Sequence, residues 1–177
     1  MKYCSQCAGK VRLRAQDGLP FPRYVCDACR AVFYRSPRLV AACLARWEDR
    51  FLLCRRGTEP GYGLWALPAG FVESGETAKQ GAQRELLEEA SAEVEIVRLC
   101  AIFNLPFINQ TQLVFEARLL EEACKAGPET LEARLFDESE IPWPEMAFVS
   151  TVETLRYFLR ARGNGSREVF YADIVQF

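Results

Sequence analysis

Three glutamates lie close together in a stretch that is dense in helix-forming residues. Glu85, Glu88 and Glu89 fall within residues 76–90, where Ala, Leu, Gln, Glu and Arg predominate and predict a helix. At 100° per residue their side chains share an arc of about 100°. Like charges three or four residues apart repel by about 0.2–0.5 kcal/mol per pair, and a bound cation would relieve that repulsion. Carboxylate oxygens suit Mg²⁺, and a solvated acidic face is the alternative.

Four of the eight cysteines form two C-x-x-C pairs with eighteen residues between them: Cys4 with Cys7, and Cys26 with Cys29. This spacing is typical of a zinc site with four thiolate ligands. The chain has no histidine, so the site is expected to be all cysteine. Paired disulfides or a redox C-x-x-C motif are the alternatives. No role is assigned to the remaining four cysteines, which are Cys43, Cys54, Cys100 and Cys124.

The elements that must position these groups can be predicted coarsely. Residues 1–36 form a small metal module, which ends at a proline-marked boundary, and residues 37–177 form a second domain. In that domain, 39–47 and 51–55 predict a hairpin, and 94–104, 112–120 and 131–136 predict strands. A capping box at Ser150 and Glu153 predicts a second helix ending near Gly163. The tail from Glu168 is either a strand or poorly ordered. Strands mixed with two helices indicate an α/β or α+β domain.

Composition excludes several classes of protein. The net charge of −2, from 22 basic and 24 acidic side chains, makes nucleic acid unlikely as the principal partner, since such proteins usually carry a basic excess. No apolar run is long enough to span a bilayer, and no signal peptide is visible at the start of the sequence. We therefore expect a cytoplasmic protein that does not associate with membranes. The absence of histidine also leaves carboxylates, Lys, Tyr or metal-bound water for acid–base chemistry.

The glutamates belong to a longer motif. Residues 70–92 resemble the Nudix box, Gly-x5-Glu-x7-Arg-Glu-U-x-Glu-Glu-x-Gly-U, in which U is a bulky aliphatic residue. The matching positions are Gly70, Glu76, Arg84, Glu85, Leu86, Glu88 and Glu89. Ser91 stands where the motif has glycine and Ala92 where it has a bulky aliphatic residue. Neither difference removes a charged position.

This resemblance implies an α/β fold, the Nudix α/β/α sandwich with a mixed sheet, preceded here by a zinc ribbon. It implies hydrolysis of a nucleoside diphosphate linked to another group, with Mg²⁺ or Mn²⁺ as the catalytic ion and Zn²⁺ as a structural one. Glu85 and Glu89 would be the main ligands of the catalytic ion. Glu88 would be a further ligand or a carboxylate that orients the water, and the Gly70 carbonyl would also bind the metal. Arg84 would orient the glutamates, and Glu76 would brace the loop.

The resemblance extends to a zinc-ribbon subgroup through residues 53–56, 65–71 and 140–145. Members of this subgroup are commonly labelled ADP-ribose pyrophosphatases, and the subgroup resembles a plastid enzyme that hydrolyses FAD. The expected reactions are FAD to FMN and AMP, or ADP-ribose to AMP and ribose 5-phosphate. An NADH pyrophosphatase-type activity is an alternative, although the Ser-Gln-Pro-Trp-Pro-Phe-Pro element of those enzymes is missing after Ala92. Related ADP-ribose enzymes are frequently dimers, so a homodimer is expected.

Candidates outside the motif have weaker support. The general base would be a carboxylate of the box or one on a later loop; of Glu138, Glu140 and Glu145, Glu140 is preferred. Arg55 or Arg56 would clamp a phosphate or simply end an exposed strand. Trp65 and Phe103 would stack on adenine or flavin, or pack in the core.

A function of a different class also stays open, namely a non-hydrolytic nucleotide-sensing or RNA-binding module. The ribbon is locally basic, through Lys10, Arg12, Arg14, Arg23, Arg30, Arg35 and Arg38.

Overall fold

The computed structural model describes residues 1–15 and 21–175. The chain divides into two units, Met1–Pro37 and Arg38–Phe177, each with its own core. The loop expected around Gly18 and Pro20 lies outside the described residues. Within the described residues, no helix combines the length and the apolar character that a membrane crossing requires.

The first unit is a three-stranded antiparallel sheet. Strand β1 (Val11–Arg14) pairs with β2 (Arg23–Cys26), and β2 pairs with β3 (Val32–Phe33). One face of the sheet carries a small core in which Val11 packs with Cys4 and Cys26. Because side chains alternate along a strand, the arginines of β1 lie on the opposite face.

The second unit is built on one mixed sheet. Its strands are β4 (Arg38–Trp47), β5 (Arg50–Arg56), β6 (Trp65–Ala66), β7 (Ala69–Phe71), β8 (Val94–Leu105), β9 (Gln110–Leu119), β10 (Thr130–Phe136) and β11 (Phe170–Asp173). The main path runs β10-β5-β4-β9-β8-β11, with β6 on β5 and β7 on β4. The pairs β4–β9 and β8–β11 are parallel, and the other pairs are antiparallel.

A helix covers each face of this sheet. Helix α1 (Ala78–Ala90) buries Ala82, Leu86 and Ala90 against one face, where small side chains let the helix approach closely. Helix α2 (Val149–Asn164) packs Leu155 and Phe158 against the other face. The two buried clusters belong to opposite sides of the sheet because alternate residues of β4 and β5 contribute to each. The α/β sandwich expected from the sequence is confirmed.

Several element boundaries differ from the prediction. Helix α1 begins at Ala78, because Thr77 forms a capping box with Gln80. The capping box predicted at Ser150 is wrong: α2 begins at Val149 after Phe148, which makes no side-chain cap bond. The helix runs one residue past Gly163, to Asn164, and it is Gly165 that takes the left-handed position with φ 70°. The tail forms strand β11.

Candidate active site and metal centres

The four paired cysteines converge in the first unit. Their Sγ atoms all lie within 4.8 Å of one another, with 3.6 Å between Cys4 and Cys29 and 3.5 Å between Cys7 and Cys26. These separations are far longer than an S–S bond of about 2.05 Å. They are close to the roughly 3.8 Å between two ligands of a tetrahedral ion with Zn–S bonds of about 2.3 Å. The geometry fits a four-thiolate zinc site.

Backbone groups around this centre favour a thiolate at Cys26. Hydrogen bonds from the backbone N–H groups of Cys29 and Ala28 lower the pKa of Cys26 to about 6. At Cys29 the backbone N–H of Ala31 lowers the pKa, but hydrogen bonds with the neighbouring cysteines, together with burial, outweigh it and raise the pKa to about 12. A Cβ at Gly9 would come within 3.3 Å of the Sγ atoms of both Cys26 and Cys7. This close approach explains why the position is occupied by a residue without a side chain.

Helix α1 carries the glutamates, and Arg84 organises the loop before it. Its guanidinium donates to both carboxylate oxygens of Glu76, at 2.8 and 3.2 Å, and to the Phe71 carbonyl at 2.9 Å. Glu76 in turn accepts a hydrogen bond of 2.7 Å from the Glu73 backbone N–H, as expected for a residue that braces the loop. Arg84 also donates to Glu85 at 2.7 Å and to Glu88 at 3.3 Å. One arginine therefore holds three carboxylates, and the hydrogen bonds that it donates to Glu76 and Glu85 raise its pKa further above its usual range.

Gly70 and Glu85 are matched to each other. A Cβ built at Gly70 would overlap the Glu85 carboxylate, so only glycine leaves room for the acid. Gly70 lies on β7, which pairs with β4 through Ala41, while Glu85 comes from α1. The sheet and the helix thus bring the first residue of the motif against one of its glutamates. Burial raises the pKa of Glu85, and the hydrogen bond from Arg84 opposes this shift.

Glu89 is the most strongly perturbed carboxylate of the motif. Burial, followed by repulsion from Glu85, raises its pKa to about 7, while a hydrogen bond from the Ala69 backbone N–H and the charge of Arg56 act in the opposite direction. Glu88, by contrast, has a side chain that is 57% exposed. The three glutamates of the motif therefore experience different environments on one helix.

The carboxylates are near one another without forming a tight cluster. Within residues 1–15 and 21–175, the four cysteines are the one group of three or more Cys, Asp or Glu side chains whose ligand atoms are placed to hold a metal ion. Mutual repulsion keeps the carboxylates apart, and Arg84 offsets it by donating to both Glu85 and Glu88. Their hard oxygen donors fit Mg²⁺ or Mn²⁺ rather than a softer ion.

The last turn of α1 is held by a loop from a distant part of the chain. The backbone N–H of Lys125 donates to the Ala90 carbonyl at 2.8 Å, and that of Gly127 donates to the Glu89 carbonyl at 3.0 Å. A Cβ at Gly127 would overlap the Glu88 carbonyl oxygen. Ser91 ends the helix in the left-handed conformation with φ 49°, the conformation that glycine adopts most readily.

A cavity of about 630 Å³ opens beside Gly70. Its walls come from six separate parts of the second unit, and most of the lining residues are apolar. The lining residues include Arg56, Leu67, Phe71, Leu105, Ile108, Gln110, Phe148 and Ile174. The ring of Phe71 is 42% exposed and has the Arg38 guanidinium 4.5 Å from its centre. Sequence reasoning missed these walls, apart from Arg56, because only the fold brings them together.

Of the four predicted substrate-binding residues, one lines the cavity and three do not. Arg56 lines the cavity, although its Nε donates to the Pro60 carbonyl at 2.8 Å. Arg55 does not line it and donates instead to the Gly63 carbonyl at 2.8 Å. Phe103 is fully buried and Trp65 is 6% exposed, its ring packing edge-on to Phe136. This placement corrects the stacking role expected for Trp65 and Phe103: they are core residues.

The preferred general base lies at the wrong end of the sheet. Strand β10 pairs antiparallel with β5, so Thr130 is opposite Arg56 and Phe136 is opposite Phe51. Phe51 is about 17 Å along the strand from Arg56 at about 3.4 Å per residue, and Glu140 follows Phe136 in the loop that leaves this far end of β5. There it pairs with Arg134 at 3.2 Å. This position corrects the expectation that Glu140 is the general base.

The other two loop carboxylates also lie outside the cavity walls. Glu138 pairs with Arg162 at 2.9 Å and lines a different cavity together with Asp49. Glu145 is an exposed residue of the short 3-10 helix Trp143–Glu145. Of the predicted general bases, the carboxylates of the motif itself therefore remain, and Glu59 is a further carboxylate that lines the cavity.

Comparison with known proteins shows which family these features belong to. The sequence model of the NUDIX domain matches residues 36–158, and a model described as Nudix N-terminal, a zinc ribbon, matches residues 2–35. A crystal structure of a NUDIX hydrolase from Nitrosomonas europaea is 44% identical, with a TM-score of 0.95, over 99% of this chain and 100% of that one.

Two curated relatives have names that describe an activity. An ADP-ribose pyrophosphatase of Methanocaldococcus jannaschii is 29% identical over 148 residues, which is 80% of this chain and 88% of the relative. The NAD-capped RNA hydrolase NudC of Edwardsiella ictaluri is 27% identical over 145 residues, but this chain spans only about half of it, 53%. With the first motif residue against a motif glutamate at the mouth of a cavity, and with the family matched over most of its length, the chain belongs to the Nudix hydrolase family.

Proposed function

We propose that this protein hydrolyses the pyrophosphate bond of a nucleoside diphosphate linked to another group, with ADP-ribose or FAD as the substrate. The observation that carries the proposal is the position of Gly70, which both lines the cavity of about 630 Å³ and contacts the Glu85 carboxylate. Cavities of this size and apolar character commonly bind small molecules. A bound dinucleotide would have its diphosphate next to the glutamates. The name of the Methanocaldococcus relative supports ADP-ribose.

Glu85 and Glu89, together with Glu88 and the Gly70 carbonyl, would hold Mg²⁺ or Mn²⁺. When bound, such an ion neutralises phosphate charge and lowers the pKa of a coordinated water. The raised pKa values of Glu85 and Glu89 fit this assignment, because burial disfavours the ionised carboxylates and a bound cation would stabilise them.

Side chains of this protein would position the substrate around that centre. Arg84 keeps the Glu85 carboxylate directed over Gly70 through their 2.7 Å hydrogen bond. Arg56 would place its positive charge beside a phosphate, and the exposed ring of Phe71 would stack on the base or flavin. We assign the proton-accepting role to a carboxylate of the motif, since Glu140 lies at the far end of β5.

A panel of dinucleotides tests this proposal. The protein is incubated with Mg²⁺ and, separately, with ADP-ribose, FAD and NADH, and the products are separated by anion-exchange chromatography. NADH is included because the NudC relatives align over 80% of the chain. We expect AMP from ADP-ribose or FAD with the wild type, no product with Glu85→Gln, and unchanged turnover with Glu140→Gln.

The opposite outcome is equally clear. Binding of these compounds without turnover would reject hydrolysis and support the nucleotide-sensing alternative.

The expected homodimer, the cytoplasmic location and the structural Zn²⁺ are also parts of this proposal. Light scattering coupled to size-exclusion chromatography measures the first, and metal analysis of the purified protein measures the last.

A further inference from the structure

The charges of this protein are divided between its two units. Residues 1–37 contain seven Lys and Arg against two Asp, a net charge of +5, whereas residues 38–177 contain fifteen against twenty-two, a net charge of −7. A zinc tetrathiolate contributes −2, and the first unit would still be +3. The net charge of the chain is therefore close to zero although its first unit is basic. Such a difference in charge between two units indicates a polyanionic partner for the basic one.

Three arginines and a tyrosine of the first unit share one face of its sheet. Arg14 of β1 lies directly opposite Arg23 of β2, and the Arg23 guanidinium stacks 5.2 Å from the centre of the Tyr34 ring. Arg12 lies on the same face by strand alternation. We call Arg12, Arg14, Arg23 and Tyr34 the basic face. Val11 and Cys26 point to the other side, where the small core and the cysteine site lie.

The positive charge of the basic face is only partly neutralised. Asp27 pairs with Arg12 at 2.8 Å and with Arg14 at 2.5 Å, so one carboxylate serves two guanidinium groups. Within the described part of the chain, Arg23 has no ion-pair partner, and its buried Nε has no hydrogen-bond acceptor. Like charges directly opposite on paired strands are destabilising. An added anion would relieve this arrangement.

An exposed aromatic ring accompanies these charges. Tyr34 is 70% exposed, and Phe21, two residues before Arg23, is 66% exposed. Basic side chains next to exposed ring faces are the combination that binds single-stranded nucleic acid, since arginines contact phosphates and rings stack on unpaired bases. We propose that the basic face of the ribbon binds single-stranded RNA, independently of the hydrolytic site. RNA is favoured over DNA because its bases are more often unpaired and available for stacking.

Fluorescence anisotropy with a fluorescein-labelled twelve-nucleotide single-stranded RNA tests this proposal. The full chain is titrated in zinc-containing buffer without Mg²⁺, at several salt concentrations. We expect a dissociation constant of about 1–100 μM at physiological salt and tighter binding at 50 mM salt. Each phosphate contact on a single strand contributes about −0.7 to the slope of log K against log salt. The double variant Arg14→Gln/Arg23→Gln should therefore lose about 1.4 from that slope.

Tyr34→Ala should behave differently from the arginine variants. Loss of one stacked base weakens binding by about five- to a hundredfold while leaving the salt slope unchanged. Arg160→Gln, which removes an exposed arginine of α2 in the acidic unit, is the matched control and should leave binding unchanged. Zinc content and hydrolysis of ADP-ribose or FAD should be the same in all variants. If the wild type hydrolyses neither compound, the proposed enzymatic function fails, and the RNA-binding result is unaffected.

Several results would overturn the inference. These are the absence of RNA binding at 50 mM salt, an unaltered slope in the double arginine variant, or duplex DNA bound as tightly as the single strand. Self-association that the Arg14→Gln/Arg23→Gln variant abolishes, without any RNA binding, would show instead that a second copy covers this face.

Discussion

Replacing Glu89 with glutamine should make the metal-free protein more stable while ending its hydrolytic activity. Burial and the nearby Glu85 raise the pKa of Glu89 to about 7. The ionised carboxylate is therefore unfavourable in the folded state above pH 7. Glutamine removes the charge and keeps an oxygen that can accept the hydrogen bond from the Ala69 backbone N–H. Activity is lost because the charged ligand is lost.

The size of the effect follows from the pKa. A change from 4.5 to about 7 corresponds to about 3.5 kcal/mol at about 1.4 kcal/mol per pH unit. Because the carboxylate keeps some contact with water, we expect Glu89→Gln to raise the free energy of unfolding by about 1–3 kcal/mol at pH 8. Between pH 7 and pH 4.5 the folded wild type binds a proton that the unfolded chain does not, so its stability rises as the pH falls. The advantage of the variant should disappear near pH 4.5.

Urea unfolding followed by tryptophan fluorescence measures this difference. All three tryptophans, Trp47, Trp65 and Trp143, lie in residues 38–177, so the signal reports only the unit that contains Glu89. The titrations are made at pH 8 and pH 5, with zinc present and no other divalent ion. Glu88→Gln is the matched control: its side chain is 57% exposed, and its stability should differ from wild type by less than about 0.5 kcal/mol.

The reasoning fails if Glu89→Gln is no more stable than wild type at pH 8. It fails equally if the gain at pH 8 is also present at pH 5, since packing rather than charge would then be responsible. An effect of the same size in Glu88→Gln would point to the general repulsion on the helix rather than to burial of Glu89.

Four further substitutions test other features. Gly70→Ala should abolish turnover, because its Cβ would displace the Glu85 carboxylate; normal activity in a steady-state assay would contradict this close contact. Ser91→Gly should stabilise the protein by about 0.5–1 kcal/mol in urea unfolding, since Ser91 has φ 49° and a left-handed conformation is unfavourable for a residue with a Cβ, whereas Ser91→Ala should give no such gain. Cys26→Ser should reduce zinc from one ion per chain to a small fraction in metal analysis; full retention would exclude the four-thiolate site. Glu140→Gln should leave the pH dependence of turnover unchanged, and a shifted profile would restore it as a general base.

The sequence predicted those parts of the fold that depend on local pattern. The hairpin of β4 and β5 was recognisable from two β-rich runs around a short turn, and α1 from its helix-forming residues. The ends of α2 were not, because Ser150 and Glu153 match a capping box yet Ser150 is buried inside the helix. Gly163 and Gly165 offer the same stop signal, and only the three-dimensional structure distinguishes them.

In the candidate site, too, the sequence predicted what a local pattern carries and missed what only the fold brings together. The spacing of the Nudix motif identified Gly70, Arg84 and the glutamates, since those residues act within one loop and one helix. The walls of the cavity come from strands and loops far apart in sequence, so no local pattern reveals them. Glu140 was misplaced for a related reason: a position just after a strand does not say which end of the sheet that strand reaches, and the antiparallel pairing of β10 with β5 decides it.

The contact of Gly127 with the end of α1 limits where this protein can be altered. Surface loops usually accept insertions such as peptide tags, and the segment after β9 resembles such a loop in sequence. Here two of its backbone N–H groups bind the carbonyls of Glu89 and Ala90. A label inserted next to Gly127 would therefore disturb the helix that carries the glutamates, so an attachment point for immobilising the enzyme should be sought elsewhere.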